Sequence, residues 1–223
     1  MPTQEKPLSQ VIKERRATPS FDGSPIPEED MKQILQAGLE APSGYNAQPW
    51  RFIVVRDPQQ KAALQAAGFN QTKIGEASAV IVACGDPESW KSDLDELIGQ
   101  GKKTGYIANA QIEEAIRKNY TNFRGGVAGD NGGTGPDWSV WLNRHVMIAF
   151  TTMLWTAETL GYDTAPMEGF IEPAVRKALG IPDRVRVIAL LAIGHRKGAD
   201  KPYGGRAPME TRVFADRWGN GLK

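Results

Sequence analysis

Residues 79–84, Ala-Val-Ile-Val-Ala-Cys, carry no side chain charged at neutral pH and no amide, and so apolar a run reads as a strand buried on both faces. Residues 185–193 form a second apolar run, interrupted only by Arg186 near its start. A third, shorter strand is expected over 51–56, Arg-Phe-Ile-Val-Val-Arg, closed by the Asp-Pro turn at Asp57 and Pro58. Around these runs the apolar spacing becomes helical. A helix over 8–16 ends in a basic turn, and a second begins near Pro27, with Glu28, Glu29 and Asp30 at its positive dipole end and Met31, Ile34, Leu35 and Leu39 on one face. A third spans 59–67 and stops at Gly68; a core helix spans 144–160 and stops at Gly161; a short one runs from Glu172 to Gly180. Residues 165–170 read as a tight turn, and everything after Gly194 reads as extended. Strands alternating with helices ahead of a long non-compact tail suggest a layered α/β arrangement in which the tail wraps a second copy of the chain.

Between Asp86 and Asn143 the pattern weakens. A helix is expected over 107–119, but residues 124–136 contain six glycines and read as an irregular loop. No Gly-Lys-Ser or Gly-Lys-Thr follows it, so it is not a phosphate loop. Trp138 and Trp141, just beyond, are lid or core.

With 223 residues and a formal net charge of +1, the chain reads as one domain, 1–223, with an insertion or lid at about 86–143, and it has no global field for nucleic acid or an anionic membrane. Its one cysteine, Cys84, lies inside an apolar run and can form no internal disulfide. No stretch approaches the roughly 20 apolar residues that span a bilayer. A cytoplasmic protein that binds neither nucleic acid nor membrane is expected. His145 and His195 lack the spacing of a metal site, and no Gly-x-Ser-x-Gly elbow occurs.

Residues 41–50, Ala-Pro-Ser-Gly-Tyr-Asn-Ala-Gln-Pro-Trp, concentrate rigid backbone and polar groups. Pro42 and Pro49 fix two φ angles, Gly44 admits unusual backbone, and Ser43, Asn46 and Gln48 both donate and accept, as the edge of a fused heterocycle requires. The alternative reading is a well-packed helix-to-strand turn with Trp50 in the core.

Five segments together resemble the FMN-dependent nitroreductase family. They are Arg15-Arg16-Ala17-Thr18, the 41–50 segment, Asn70-Gln71-Thr72-Lys73, Pro166-Met167-Glu168-Gly169-Phe170, and Arg206 in the tail. The resemblance implies an α+β fold: a nitroreductase-like three-layer α/β/α sandwich with a central mixed sheet, whose extended C-terminal tail wraps the partner of a homodimer. It implies FMN, with its phosphate held by Arg15 and Arg16, beside Ala17, and by Arg206. Asn70 and Lys73 would meet the pyrimidine end of the ring, where a lysine offsets the charge of the reduced flavin. Pro166, Met167, Glu168 and Gly169 would lie against the ring face, and Pro42, Ser43, Gly44 and Asn46 would approach from the partner subunit. NAD(P)H as co-substrate would pass hydride to flavin N5 and leave, and a nitroaromatic, quinone or related small electrophilic acceptor would take its place. No side chain would act as a nucleophile. Relatives that reduce enones or remove halogens leave a dedicated reductase or dehalogenase open, and a flavin-binding protein without turnover is a third reading. The chain departs from the family's pattern at Ala17, where Ser is frequent, at Pro19, where a basic residue is common, and at Gly204 and Gly205, where a tail lysine can sit. Each departure removes a phosphate donor.

Overall fold

The apolar runs form the interior of a four-stranded sheet. The computed structural model describes residues 5–126 and 138–222. Its strands are β1 (Trp50–Val55), β2 (Ala79–Gly85), β3 (Asp163–Met167) and β4 (Arg186–Gly194), paired in the order β1-β2-β4-β3. The helices are α1 (Leu8–Glu14), α2 (Glu28–Leu39), α3 (Pro58–Ala67), α4 (Thr72–Glu76), α5 (Ser89–Ser92), α6 (Leu94–Lys103), α7 (Ala110–Gly126), α8 (Trp138–Thr159) and α9 (Glu172–Leu179).

Every residue of β2 is buried, so both faces of the sheet need cover. On one face α2 and α8 bring Met31, Ile34, Phe150 and Met153 against Ile81, Leu191 and Ile193. On the other, α3, α4 and α9 bring Leu64, Ile74 and Val175 against Val80, Val82 and Leu190. The α+β, three-layer arrangement expected from the sequence is therefore present. The expected mixed sheet is not: all three pairings are antiparallel. The helices between Val55 and Ala79 return the chain to the end of the sheet it left, since Val55 lies opposite Val80, and strands joined in this way must run in opposite directions.

Local signals set several element ends. The Asp57 side chain accepts from the Gln60 N–H at 2.9 Å and caps α3, with Pro58 at its start, while Gly180 closes α9 in the left-handed region at φ 66°. Glu28, Glu29 and Asp30 occupy the first turn of α2, which begins one residue after Pro27. α1 stops at Glu14, two residues short of the helix expected, and Arg15 takes extended backbone at ψ 133°.

Three segments differ from expectation. Residues 165–167, expected to open a tight turn over 165–170, belong instead to edge strand β3, and Pro166 is tolerated there because an edge strand leaves alternate N–H groups unpaired. Residues 89–103 form α5 and α6, and α7 continues through Gly125 and Gly126, which were read as loop. The rest of the glycine cluster, 127–136, lies outside the described residues. Trp141 is core: with Ala47, Tyr120 and Leu142 it forms a third buried cluster, against which Trp138 packs.

Candidate functional site

Arginines converge where α1 ends. Arg16 Nη1 donates to the carbonyls of Lys13 and Arg15, both at 2.8 Å, and its guanidinium lies 4.2 Å from the ring of Tyr203 in the tail. Arg206 lies 5.5 Å from the same ring. Arg15 packs over Trp155 of α8 at 5.9 Å, and its Nη1 is buried without a hydrogen-bond partner. Burial holds the Arg15 guanidinium below its ordinary pKa, Glu158 opposes that, and the charges of Arg206 and Arg16 add to it. Three guanidinium groups, one with an unsatisfied N–H, form a donor set suited to phosphate oxygens.

The turn after α3 meets the end of β3. Phe69 and Asn70 both adopt left-handed backbone, at φ 55° and 58°, and the Asn70 N–H donates to the Gln65 carbonyl at 2.9 Å. Gln71 Nε2 then donates to the carbonyls of Gly68 and Gly169, both at 3.0 Å, which ties this turn to residues 166–169. Lys73 is half-buried, and desolvation first, then the nearby charge of Lys201, hold its ammonium below the ordinary lysine pKa. Glu168 and Gly169 are exposed and Met167 is buried beneath them. A Cβ on Gly169 would find no atom closer than 3.8 Å, so the chain itself does not require glycine there.

Residues 42–48 form a separate group. Ser43 Oγ accepts from the Gln48 N–H at 3.0 Å across the turn Gly44–Asn46. The unusual backbone expected of Gly44 falls instead on Tyr45, Asn46 and Gln48, at φ 56°, 53° and 44°. Gly44 serves by its size, since a Cβ there would stand 3.2 Å from His145 Nε2 and 3.5 Å from Trp141 Nε1. Three non-glycine residues held at positive φ within four positions represent backbone strain of order 1 kcal/mol or more each, of the sort that gathers at ligand sites. His145 Nδ1 lies 2.7 Å from the Trp141 carbonyl, and because a carbonyl only accepts, that nitrogen carries the proton and Nε2 faces the turn as an acceptor when the ring is neutral.

The sequence-identified residues thus fall into two sets. Arg15, Arg16, Arg206, Asn70, Lys73 and residues 166–169 belong to the region of the α1 end, the tail and the end of β3. Pro42, Ser43, Gly44 and Asn46 lead into β1, at the opposite edge of the sheet. Ala17 is exposed beside Arg16, and Pro42 is exposed ahead of the Ser43 turn. Sequence reasoning missed Tyr203, Lys201, Glu158 and the placement of His145. Of these Glu158 left a signal, because it continues the spacing of Phe150 and Leu154 on the apolar side of α8.

The model of the nitroreductase family matches residues 12–195. The chain belongs to the nitroreductase family. Among its relatives, an NADH dehydrogenase of Thermus thermophilus is 34% identical over 200 residues, covering 90% of this chain and 91% of the relative. An oxygen-insensitive NAD(P)H nitroreductase of Enterobacter cloacae is 27% identical over 197 residues, covering 85% and 89%. A crystal structure from Exiguobacterium sibiricum, solved in complex with FMN, superposes with a TM-score of 0.78 at 27% identity over 93% of this chain and 96% of that one. The nitroreductase match includes the 15–16, 42–46, 70–73 and 166–169 segments, while Arg206 lies beyond it in the tail. Among the described residues no helix is long and apolar enough to cross a membrane.

Proposed function

We propose that this protein is an FMN-dependent NAD(P)H oxidoreductase that works as a homodimer and reduces nitroaromatic, quinone or related electrophilic acceptors. The observation that carries the reading is the buried, unpartnered Nη1 of Arg15 beside Arg16 and Arg206, a donor that a phosphate oxygen would satisfy. FMN, when bound, supplies the two-electron centre between a reduced nicotinamide and the acceptor.

The chain's own residues bind and orient. Arg15, Arg16 and Arg206 hold the phosphate, and the exposed carboxamide of Asn70 meets the pyrimidine edge. Lys73, half-buried and close to the charge of Lys201, favours negative charge placed beside it. Glu168 and Gly169 present exposed backbone at the end of β3, where the absence of a Cβ on Gly169 leaves room for a flat ring.

Ser43, Gly44 and Asn46 reach that ring from a second copy of the chain. Within one chain β1 and β3 are the two edges of a four-stranded sheet, about 14 Å apart at about 4.8 Å per strand spacing, and the turn that precedes β1 lies on the far side from residues 166–169. α7 and the start of α8 pack on this turn, through Tyr120 and Trp141 against Ala47, and so border the acceptor as part of the insertion of a single 1–223 domain. One site that serves donor and acceptor in turn gives ping-pong kinetics. Lone His145 and buried Cys84 have no role as nucleophiles; burial pushes the Cys84 thiol up to about 12, where it is inert at neutral pH.

An absorbance spectrum of the purified protein, followed by NADPH and then NADH added without oxygen, tests this reading. A yellow protein that releases FMN and bleaches with a reduced nicotinamide is the expected result. A colourless protein that added FMN cannot restore would overturn it.

A further inference from the structure

Where α1 meets the end of α8 the fold closes around a cavity of about 110 Å³ with balanced formal charge. Lys6, Arg15, Arg16 and Arg196 line it, and so do Glu14, Glu158, Asp163 and Asp200. Several of these neutralise one another. Arg196 pairs with Asp200, its Nε stands 3.9 Å from Asp163, and its backbone N–H donates to Asp163 Oδ2 at 3.0 Å. Arg15 and Glu158 do not pair. Glu158 is 8% exposed, and its carboxylate accepts from Thr164 Oγ1 at 2.6 Å, yet among the described residues no cation approaches it to ion-pair distance. Arg15 Nη1 remains without a partner in the same cavity. A guanidinium and a carboxylate that feel one another's charge without closing a bond leave the guanidinium's donors available, at the expense of a competing anion behind them.

We infer that Glu158 is the positioning residue behind Arg15, a carboxylate that balances the guanidinium while the site is open and takes a proton from solvent when a phosphate group docks. The inference rests on the FMN reading, because it needs a phosphate at Arg15. Burial, opposed by the Thr164 hydrogen bond, and then the neighbouring charge of Asp163, opposed by Arg15, leave the Glu158 carboxyl pushed up to about 7. A phosphate dianion on Arg15 acts in the direction of Asp163 and raises it further. The bound state therefore holds more protons than the free state above neutral pH. By linkage, FMN affinity falls as pH rises from about 7 to 9, by roughly tenfold in total. The phosphate's own second ionisation, near pH 6, has the opposite sign and is complete by pH 8. The two effects separate cleanly.

Calorimetric titration of the apoprotein with FMN at pH 8, in two buffers of different ionisation enthalpy, counts the protons taken up. The wild type should take up several tenths of a proton per FMN, and Glu158→Gln, which keeps an acceptor for Thr164, should take up almost none and bind FMN with an affinity that stays level from pH 7 to 9. Thr164→Val removes the hydrogen bond that favours the ionised carboxyl, so it should move the fall in affinity to higher pH, and this supports the inference even where Glu158→Gln fails to fold. Equal proton uptake in wild type and Glu158→Gln, or weakening of Glu158→Gln by one factor at every pH, would overturn it. A wild type that does not bind FMN at all would overturn this inference together with the reading beneath it, whereas binding with unchanged proton counts overturns this inference alone.

Discussion

Arg206 is exposed, with its Nη1 donating to the Gly205 carbonyl and its guanidinium near the Tyr203 ring that Arg16 also approaches. Three cations drawn together in this way repel one another, which adds to the burial that chiefly lowers the pKa of Arg15, and an anion between them relieves the repulsion. Ala17, Gly204 and Gly205 bring no side-chain donors, so each arginine carries a larger share of phosphate binding. Arg206→Ala removes one charge-assisted contact, of about 1.5 to 3 kcal/mol, and should weaken FMN binding by roughly 10- to 150-fold with little change in thermal stability, since the side chain is exposed. Fluorescence titration of the apoprotein with FMN measures this, and unchanged affinity would move the phosphate elsewhere.

At the scale of elements, the contact between α2 and α8 sets how one layer lies on the sheet, and Gly38 lets them approach. A Cβ at Gly38 would stand 2.6 Å from Met153 Cγ and 2.9 Å from its Sδ. Gly38→Ala gains about 1 kcal/mol of helix propensity but forces Met153 from its place, and overpacking of this kind costs about 1 to 3 kcal/mol. The expected result is a net loss of about 1 kcal/mol, read as a lower denaturant midpoint at unchanged slope. The elements whose information is local were legible in the sequence: β2 and β4 from long apolar runs, α3 from Asp57 and Gly68, α9 from its acidic start and Gly180. β3 was not, because Pro166 and Gly169 carry turn signals and only pairing with β4 makes the segment a strand. α5 and α6 were hidden by Lys, Asp and Gly among their few apolar residues. The site followed the same division. Arg15, Asn70, Lys73 and Gly169 were found through the resemblance, but the Tyr203 bridge between Arg16 and Arg206, the Gln71 tie to Gly169 and the Glu158 cavity are long-range contacts that no local spacing announces.

For the molecule as a whole, the tail is the part that a single chain does not explain. Trp218 is 92% exposed and Met209 62%, and an ordered arm of this kind exposes apolar surface that water disfavours. The body has a matching need. β1 is an edge strand with Phe52, Ile53 and Val54 half-buried, and a groove of about 510 Å³ beside it is lined by Leu35, Leu39, Phe52, Val54 and Leu97. In the homodimer proposed above, the arm of one chain covers apolar surface of the other, and the same association brings Ser43, Gly44 and Asn46 to the partner's ring site. Dimerisation and flavin binding should then fail together. A chain ending at Ala207 keeps Arg206 and so separates the phosphate contact from the arm. It should sediment as a monomer and bind FMN at least about tenfold more weakly than the full chain, since the contacts from the second copy, at about 1 kcal/mol or more each, are lost. Sedimentation velocity followed at both the protein and the flavin absorbance reads the two properties in one experiment. A truncated chain that remains a dimer with its flavin would show that the arm does not hold the two copies together, and the exposed Trp218 would then need another explanation.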